Sequence, residues 1–279
     1  MGIVIGIDVG GSTTKIVGIE DNRIISPIKV RANDAVTSTF GAFGKFVSDN
    51  NFNLDSIEKI VITGVGSSHI KSKIYGLPTA KIDEFIAIGL GGLRLTGLDK
   101  AIIVSMGTGT AFVKASDNNI MHMGGTGVGG GTLLGLSQLM LNMRNFDNII
   151  ELAKDGDLSK IDLTIADISK DNVTGLPPQT TASNFGNIND LASKSDIALG
   201  IINTIFQTIG VLAVFACRID GINDVILTGN LTLIPQAQQI FETLKDIFKI
   251  NFIIPEHAEY STALGAALAY SKGHNITDI

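Results

Sequence analysis

Apolar and polar positions follow one another in short blocks that predict both strands and helices. The first block, residues 3–17, is an apolar run rich in β-branched residues that turns through Gly10-Gly11 and becomes apolar again. Such a run predicts a buried strand, and two of them joined by a glycine-rich turn predict a hairpin. Apolar residues at helical spacing predict helices at 34–50, 80–95, 191–218, 235–249 and 261–272. The chain is therefore predicted to have an α/β fold.

The same plan occurs twice. Residues 101–114 repeat the order of strand, glycine-rich turn and strand seen at 3–17. Further on, 57–64 is matched by 222–229, and both segments end in Thr-Gly. A Pro and then a helix rich in small residues follow each of them. An internal repeat of this kind indicates a duplicated architecture, so we expect two lobes with a glycine-rich turn in each.

The two glycine-rich turns have the composition of phosphate-binding sites. Glycines allow close approach, and successive backbone N–H groups form a concavity that binds anions. Asp8 precedes the first turn and suits a phosphate that carries Mg²⁺, while Lys15 adds a positive charge. The second turn has Ser105 where the first has Asp8, so only one half supplies a carboxylate. Taken alone, either turn is equally consistent with a plain tight hairpin.

A second carboxylate belongs to the helix predicted to open at Ala80. Glu84 follows the late strand of the first half, which should place it at the cleft end, where a carboxylate acts as a general base. Alternatively, Asp83 and Glu84 complement the positive end of the helix dipole. The spacing leaves both interpretations open.

The densest glycine cluster, residues 122–136, is predicted to be a loop that leads into a helix ending near Asn142. It contains G-x-G-x-x-G outside a βαβ unit and no Walker sequence, so neither nucleotide motif is supported. We expect backbone and a helix N-terminus here to approach a phosphate and a ribose. His122 lies just before the cluster and is either a substrate contact or an ordinary surface histidine.

Composition narrows the class of protein. The 279-residue chain has a net charge of −6 and no basic block, which argues against a nucleic-acid partner. One cysteine, Cys217, excludes a disulfide framework and fits a cytoplasmic location. The uncharged run 197–217 approaches the length of a bilayer span. Its polar residues recur at helical spacing, however, which favours a helix buried between elements or at a subunit contact over a membrane partner.

These motifs together resemble the actin-like ATPase and sugar-kinase superfamily, through Asp8–Ser12 with Lys15, 107–110, 124–131 and Thr228-Gly229. More closely, Asp83-Glu84-Phe85, 123–131 and 181–186 resemble the type II (eukaryotic-like) pantothenate kinases. The resemblance covers essentially the whole chain. It implies duplicated ribonuclease-H-like (actin-like ATPase) domains with mixed five-stranded sheets, flanking helices and an ATP cleft between lobes. The lobes would span 1–97 and 98–279, with an insertion at about 124–190.

The resemblance also implies a function and its residues. It implies ATP- and Mg²⁺-dependent phosphorylation of pantothenate to 4′-phosphopantothenate, the first step of coenzyme A biosynthesis, by a homodimer that uses the helix around 197–217 as an interface. Glu84 would activate the pantothenate hydroxyl, and Asp8 would hold Mg²⁺, directly or through water. The implied ATP-binding residues are Asp8, Val9, Gly10, Gly11, Ser12, Thr13, Thr14, Lys15, Thr108, Gly130, Gly131, Thr132, Leu133, Leu134, Phe146 and Asn230. The implied substrate-binding residues are Glu84, Thr108, His122 and Gly124.

One departure and three alternatives accompany this interpretation. The family usually has an Arg where His122 stands, and imidazole is shorter and lacks the bidentate fork, which bears on the substrate more than on phosphoryl transfer. Another small-molecule kinase, such as one for N-acetylglucosamine, would share the ATP site. A non-catalytic nucleotide-binding regulator would bind ATP without forming product. An ATPase activator of a radical dehydratase needs cysteine ligands for an iron–sulfur cluster, which Cys217 alone does not supply.

Overall fold

A computed structural model describes residues 2–116, 119–171, 173 and 175–279 of the chain. The strands are β1 Ile3–Val9, β2 Thr13–Glu20, β3 Arg23–Arg31, β4 Ile57–Thr63, β5 Thr79–Lys81, β6 Lys100–Met106, β7 Thr110–Ser116, β8 Asn119–Thr126, β9 Leu163–Thr164, β10 Thr181–Ser183, β11 Asp224–Thr228, β12 Asn251–Ile253 and β13 Thr277–Asp278. The helices are α1 Ala35–Asp49, α2 Glu84–Thr96, α3 Gly130–Leu141, α4 Phe146–Ala153, α5 Ile165–Ile168, α6 Lys194–Asp220, α7 Gln236–Phe248 and α8 Ser261–Ser271. Short 3₁₀ helices lie at Leu54–Ser56, Val65–His69, Ile74–Gly76, Leu158–Lys160, Asn230–Leu233 and Ala258–Tyr260.

Two mixed sheets carry the two halves of the chain. The first has the order β13-β5-β4-β1-β2-β3 and the second has the order β12-β11-β6-β7-β8. In each, a hairpin strand pairs antiparallel with the next strand along the chain and parallel with a later one. Apart from β13, which adds a sixth strand beside β5, the two sheets have the same strand order. The predicted duplication and mixed-sheet α/β architecture are therefore confirmed.

Helices cover both sheets in layers. The outer face of the first sheet is covered by α1, whose Phe43 and Phe46 pack against Ile5 and Ile7 of β1. The outer face of the second sheet packs against α6 and α7, and α3 and α4 pack on α6. Between the two sheets lie α2 and α8. Because side chains alternate along a strand, Asp8 lies on the opposite face of β1 from Ile5 and Ile7, toward these two inner helices.

The two inner helices are exchanged between the halves. In the chain, α2 follows strands of the first sheet, but it packs on the second sheet. Conversely, α8 follows strands of the second sheet and packs on the first. The two helices meet through glycines: a Cβ on Gly91 would stand 1.8 Å from the carbonyl oxygen of Ser261, and one on Gly265 would stand 1.8 Å from that of Ala87. The boundary near residue 97 stays a prediction, and the packing of α2 and α8 crosses it in both directions.

The long helix α6 is a core element. Its most apolar window has a mean hydropathy of 2.0, enough in length and composition to cross a membrane, but 61% of that window is buried inside the protein. The predicted polar stripe is bonded internally: Asn203 Nδ2 donates to Asp162 Oδ2 at 2.8 Å and Gln207 Nε2 donates to Thr181 Oγ1 at 3.0 Å. Since buried polar groups are stable only when paired, the stripe ties the Thr181–Ser183 segment to the helix. This confirms the prediction of a helix buried between elements.

Two predicted boundaries are wrong. The helix expected from Ala80 begins at Glu84, because Thr79–Lys81 pairs with β4 as a strand and Asp83 caps the helix. The loop expected at 122–136 is a strand up to Thr126, since β8 pairs with β7 through Gly124 and Gly125. Glycine suits this strand because a Cβ on Gly125 would stand 2.8 Å from the carbonyl oxygen of Thr110.

Candidate active site

A cleft of about 510 Å³ opens where the two glycine-rich turns face each other. The first turn follows β1 and the second follows β6, so both lie at the carboxyl ends of strands next to the parallel pairings with β4 and β11. A Cβ on Gly11 would stand 3.8 Å from Thr108 Oγ1, which brings the two turns within contact distance. The residues that line the cleft are Asp8, Gly10, Gly11, Ser12, Thr13, Lys15, Val65, Glu84, Phe85, Ser105, Gly107, Thr108, Gly109, Thr110, Ala111, His122, Gly125, Thr126, Gly127, Gly229, Asn230 and Thr262.

The first turn carries a buried ion pair. Asp8 and Lys15 are cross-strand partners of β1 and β2, and Lys15 Nζ lies 3.6 Å from Asp8 Oδ2. Both side chains are about nine-tenths buried. Burial raises the pKa of Asp8, and the Lys15 ammonium acts in the opposite direction. The pair therefore keeps a carboxylate and an ammonium group together at the edge of the anion-binding turn.

The second turn has the same backbone plan without the charges. Ser105 pairs across the ladder with Ala111, and both line the cleft. Ser105 also pairs with Thr228 of β11, as Asp8 pairs with Thr63 of β4. The structure thus places Ser105 in the position that Asp8 occupies in the first half, as the sequence repeat predicts.

A glycine with positive φ follows each of these parallel strands. Gly64 has φ +87° and Gly229 has φ +92°, a region that L side chains rarely adopt. A Cβ on Gly64 would stand 2.7 Å from the carbonyl oxygen of Val9, and one on Gly229 would stand 2.4 Å from that of Met106. Each glycine therefore lets the chain turn tightly against the hairpin of its own half.

The two acidic residues at the start of α2 have different positions. Asp83 is the N-cap, and its Oδ1 accepts hydrogen bonds from the N–H groups of Phe85 and Ile86 at 2.9 and 3.2 Å. Glu84 is the first helical residue and lines the cleft. Both interpretations of the sequence are thus present, one in each residue: Asp83 complements the helix terminus, and Glu84 faces the two turns.

The environment of Glu84 shifts the pKa of its carboxyl group. Burial, together with the negative charges of Asp8 and Asp83, raises the pKa of Glu84 to about 7, and Lys15 acts in the opposite direction. A carboxyl group with a pKa near neutrality can accept a proton from a hydroxyl and release it again at working pH. Asp8 and Glu84 share one cleft, which is the arrangement that general-base phosphoryl transfer requires.

His122 stands against Phe85 at the wall of the cleft. The two rings are stacked with centroids 3.7 Å apart and an interplanar angle of 9°. His122 lies on β8 opposite Val113, and Phe85 follows Glu84 on α2. The histidine is therefore held beside the candidate base by the second sheet and by the helix that carries that base.

Asn230 connects the two lobes across the cleft. Its Nδ2 donates to Thr13 Oγ1 at 3.2 Å, although the residues are far apart in the chain. Its Oδ1 is buried and has no hydrogen-bond partner among the described residues. A buried, unpaired acceptor is costly, so this oxygen is suited to a donor group on a bound molecule, such as a ribose hydroxyl.

The glycine cluster supports the second turn directly. The N–H groups of Gly130 and Gly131 donate to the carbonyl oxygens of Gly107 and Thr108, both at 2.9 Å. A Cβ on Gly129 would stand 2.7 Å from the same Thr108 oxygen. The start of α3 is thus packed backbone to backbone against the turn. Its first N–H groups hold the turn in place, so contact of this helix N-terminus with a phosphate stays a prediction.

The predicted site residues fall into two groups. Those that line the cleft are Asp8, Gly10, Gly11, Ser12, Thr13, Lys15, Glu84, Thr108, His122 and Asn230. Those outside its lining are Val9, Thr14, Gly124, Gly130, Gly131, Thr132, Leu133, Leu134 and Phe146. The side chains of Val9 and Leu133 are buried in the cores of their lobes, and Thr14 Oγ1 bonds to Ser38 Oγ at 3.1 Å. Roles for this second group stay predictions.

Some cleft residues were missed in the sequence. Val65, Phe85, Thr126 and Thr262 line the cleft but were not among the predicted ligands. Phe85 and Thr126 lie within the motifs Asp83-Glu84-Phe85 and 123–131, which carried no role for them individually. Thr262 is the second residue of α8 as Phe85 is the second of α2, so aligning the two helix starts pairs two residues that both line the cleft.

The site suits a metal held mainly by phosphate oxygens. Among the described residues, no group of three or more His, Cys, Asp or Glu side chains is placed to hold a metal ion. Mg²⁺ is usually bound by one or two carboxylates together with substrate phosphates and water. Asp8, a carboxylate beside the anion-binding turn, fits that mode.

A comparison with family profiles decides the family. The profile described as Fumble matches residues 100–269, more than half of the chain. The chain belongs to the Fumble family. The matched part runs from β6 almost to the end of α8, so it includes the second glycine-rich turn, the glycine cluster and the core helix α6.

Curated relatives extend the likeness of this Fumble protein to nearly the full length. The chain is 28% identical to a type II pantothenate kinase of Bacillus cereus (strain G9842), over 96% of this chain and 98% of that protein. It is 29% identical to a type II pantothenate kinase of Staphylococcus epidermidis (strain ATCC 12228 / FDA PCI 1200), over 94% and 98% respectively.

Solved structures show the same fold. The activator of the 2-hydroxyisocaproyl-CoA dehydratase from Clostridium difficile, with bound ADPNP, has a TM-score of 0.71 and 16% identity over 97% of this chain and 94% of that one. A ROK family glucokinase from Streptomyces griseus, in complex with glucose and AMPPNP, has a TM-score of 0.60 and 12% identity over 95% and 98%. At these identities the likeness establishes the fold alone, and it agrees with the predicted fold class.

Proposed function

We propose that this Fumble family member is an ATP-dependent kinase that phosphorylates the primary hydroxyl of pantothenate to give 4′-phosphopantothenate, the first step of coenzyme A biosynthesis. The observation that carries the proposal is the single cleft in which Glu84, Asp8 and both glycine-rich turns meet. Near-full-length likeness to curated type II pantothenate kinases supports the choice of substrate.

The chain's own residues divide the work of phosphoryl transfer, in which positioning and charge neutralisation dominate. The two turns hold the phosphates of ATP from opposite sides, with Gly10-Gly11 on one side and Gly107-Thr108 on the other. Lys15 neutralises part of the phosphate charge. Glu84 orients the pantothenate hydroxyl and takes its proton as the oxygen attacks the γ-phosphate, so one O–P bond forms while the bond to ADP breaks.

Mg²⁺ belongs to the proposal as a companion of ATP. When bound, it neutralises charge on the phosphates, and Asp8 would hold it, directly or through water. Its positive charge beside Asp8 also opposes the effect of Asp8 on Glu84, which favours the ionised, proton-accepting form of the base.

The substrate pocket differs from the usual family pattern at His122. Stacking against Phe85 fixes the imidazole plane, so it presents ring edges rather than the fork of an arginine. We propose that His122 and Thr108 contact the polar end of pantothenate, with Gly124 leaving room on β8. A more weakly held substrate is the expected consequence.

A homodimer in the cytoplasm completes the proposal. The outer side of α6 exposes large apolar residues at helical spacing, with 37% of Leu212, 52% of Phe215 and 78% of Ile219 accessible. Contiguous exposed apolar residues of this kind mark association surfaces. The sole cysteine is buried inside the protein, which is compatible with a reducing compartment.

The chemistry of that cysteine also sets this protein apart from its dehydratase-activator neighbour. Burial raises the pKa of Cys217 to about 12. A thiolate is the form that ligates iron, and this thiol is held away from it inside the core. We therefore do not propose a cluster-dependent activity.

The decisive experiment is a coupled assay for ADP with pantothenate and N-acetylglucosamine as parallel acceptors, with and without Mg²⁺. We expect Mg²⁺-dependent turnover of pantothenate and little with the sugar. Turnover of the sugar instead would indicate another small-molecule kinase. Binding of ATP without product from either acceptor would indicate a regulator and overturn the proposal.

A further inference from the structure

A second pocket lies behind the corner that carries Glu84. Its volume is about 690 Å³, and it is separate from the cleft between the lobes in its lining. Three segments build it: the 3₁₀ helix after β4, the β5–α2 corner, and the C-terminal residues that include β13. Nothing in the proposed kinase reaction uses this pocket.

The polar lining of the pocket consists mainly of hydrogen-bond donors. Two ammonium groups, Lys71 and Lys81, surround it together with Ser67, Thr277 and Asn275, while the Ser68 hydroxyl donates to the carbonyl oxygen of Val65 at 3.1 Å. Across the described residues, neither lysine takes part in an ion pair. In contrast, Lys59 on β4 is paired with Asp278 at 2.5 Å. The pocket therefore has two lysines without an ion-pair partner beside neutral donors and one carboxylate, Asp83.

The lining carries a positive formal charge, because two lysines stand against one carboxylate, Asp83. Partial burial, and next the charge of Lys71, lower the pKa of Lys81. An anion between the two lysines would oppose the effect of Lys71 on Lys81. Asp83 Oδ1 accepts hydrogen bonds from the N–H groups of Phe85 and Ile86.

We propose that this pocket binds the phosphate group of a small molecule. Lysines bind phosphate as point charges, and hydroxyl and amide donors complete the set around a tetrahedral anion with several acceptor oxygens. The open volume beyond the two lysines leaves room for the organic part of such a molecule. The apolar floor of Ile82 and Ile86 suits that part.

The pocket shares two of its walls with the cleft. In the 3₁₀ helix, Val65 faces the cleft while Ser67 and Ser68 face the pocket. At the helix start, Glu84 and Phe85 face the cleft while Asp83 and Ile86 face the pocket. Occupancy adds negative charge beside Asp83, the residue before Glu84, and negative charge there disfavours the ionised, proton-accepting form of Glu84. Resting on the proposed function, this predicts that a bound phosphate slows phosphoryl transfer.

The binding test uses the full chain with ¹³C-dimethylated lysines, followed by NMR. The cleft is first saturated with a non-hydrolysable ATP analogue and Mg²⁺, and inorganic phosphate is then titrated at constant ionic strength. Lys71→Gln, Lys73→Gln and Lys81→Gln assign the signals. Lys73 is a matched control because it is exposed, lies two residues from Lys71 and is not in the lining. We expect saturable shifts for Lys71 and Lys81 and none for Lys73.

Isothermal titration calorimetry measures binding in the double variant Lys71→Gln/Lys81→Gln, which has lost both reporter lysines. The double variant should bind phosphate about tenfold or more weakly, because two charge-assisted contacts are removed. Phenyl phosphate serves as a second probe, and tighter binding than inorganic phosphate would assign the site to a phosphomonoester. Shifts of Lys71 and Lys81 no larger than that of Lys73, or unchanged binding in the double variant, would overturn the site.

The rate test measures kcat with saturating phosphate in the same variants. We expect saturating phosphate to lower kcat by about fivefold in the wild type and in Lys73→Gln. In the double variant, we expect phosphate to leave kcat unchanged. Equal inhibition of all three would overturn the coupling while leaving the binding result intact. Absence of kinase activity in every sample would instead contradict the proposed function, since the NMR test does not depend on turnover.

Discussion

The two hairpin turns share a backbone and differ in chemistry. Both follow a buried strand, both face the cleft, and each is backed by a positive-φ glycine. Across the ladder, however, Asp8 meets Lys15, whereas Ser105 meets Ala111. A duplicated fold thus brings two similar turns to one cleft, and in the proposed reaction the charged groups that act on the phosphates come from a single half.

The difference extends to what holds each turn. Counted between the last paired residues of each hairpin, the first turn is 10–13 and the second, 107–109, is one residue shorter. The second turn accepts hydrogen bonds from the N–H groups of Gly130 and Gly131. The first turn is joined to the opposite lobe by the bond from Asn230 to Thr13. The first turn is also held within its own lobe, because the Ala32 N–H donates to the Ser12 carbonyl oxygen at 2.9 Å. The two turns therefore differ in which segments support them: the start of α3 supports the second, and the chain after β3 together with Asn230 supports the first.

The largest effect should come from the carboxylate that only the first half brings to the cleft. Glu84→Gln should lower kcat by about 10²–10⁴-fold, because the amide cannot accept the hydroxyl proton. Steady-state kinetics with measured ATP affinity checks this, and Glu20→Gln, an exposed glutamate at the end of β2, should have no effect. Near-normal turnover in Glu84→Gln would remove Glu84 from the mechanism.

Substituting Asp8 and Ser105, the matched residues at the ends of β1 and β6, one at a time tests the asymmetry itself. Asp8→Asn should lower kcat by about 10²–10³-fold, since a charged group next to the transferring phosphates is lost, whereas Ser105→Ala should cost less than about tenfold. Dependence of the rate on Mg²⁺ concentration is the second readout. Equal losses in the two variants would mean that the halves share the chemistry after all.

The close contact of α2 and α8 predicts a large loss of stability when either contact glycine is replaced by a larger residue. Gly91→Ala and Gly265→Ala should each lower the free energy of unfolding by about 3 kcal/mol or more, since the new methyl group meets backbone that cannot move aside. Gly41→Ala in α1 has no atom within 4 Å of its Cβ and should raise stability by about 0.5–1 kcal/mol. Denaturant unfolding measures all three, and a mild effect at Gly91 would contradict the close packing.

The smallest effect concerns pH. Because Glu84 must be ionised to accept a proton and its pKa in the free protein is about 7, kcat/KM should rise with pH through that region. Asp83→Asn keeps a good N-cap but removes a charge that raises the pKa of Glu84. The rising limb of the pH–rate profile should therefore move to lower pH while the maximum rate is kept. A limb that stays in place would mean that another group controls it.

Local patterns in the sequence predict most of the fold and the first turn. The β-branched run before Gly10 and the repeat that aligns Ser105 with Asp8 are both local signals, and the structure agrees with them. Strand β5 was missed because three residues between a Pro and an acidic cap carry too little periodicity. Strand β8 was missed because its glycines resemble a loop, although they are required by the close approach of Thr110.

Local sequence patterns also cannot predict the exchange of α2 and α8 between the two halves. Each helix can be predicted from its run of small and apolar residues, but nothing in its sequence says which sheet it will cover. That choice depends on contacts between distant parts of the chain, such as Gly91 with Ser261. Roles for Phe146 and for Leu133 remain predictions for the same reason, since their contact with a nucleotide depends on how the lobes approach each other.

The crossing of those two inner helices also bears on origins. A polypeptide with just one repeat would carry a helix that packs on the sheet of the other repeat. The inner face of its own sheet would then stay uncovered. Two such polypeptides would complete each other by trading helices, as an intertwined pair. Joining their genes end to end would convert that mutual dependence into one molecule, free thereafter to let its halves diverge.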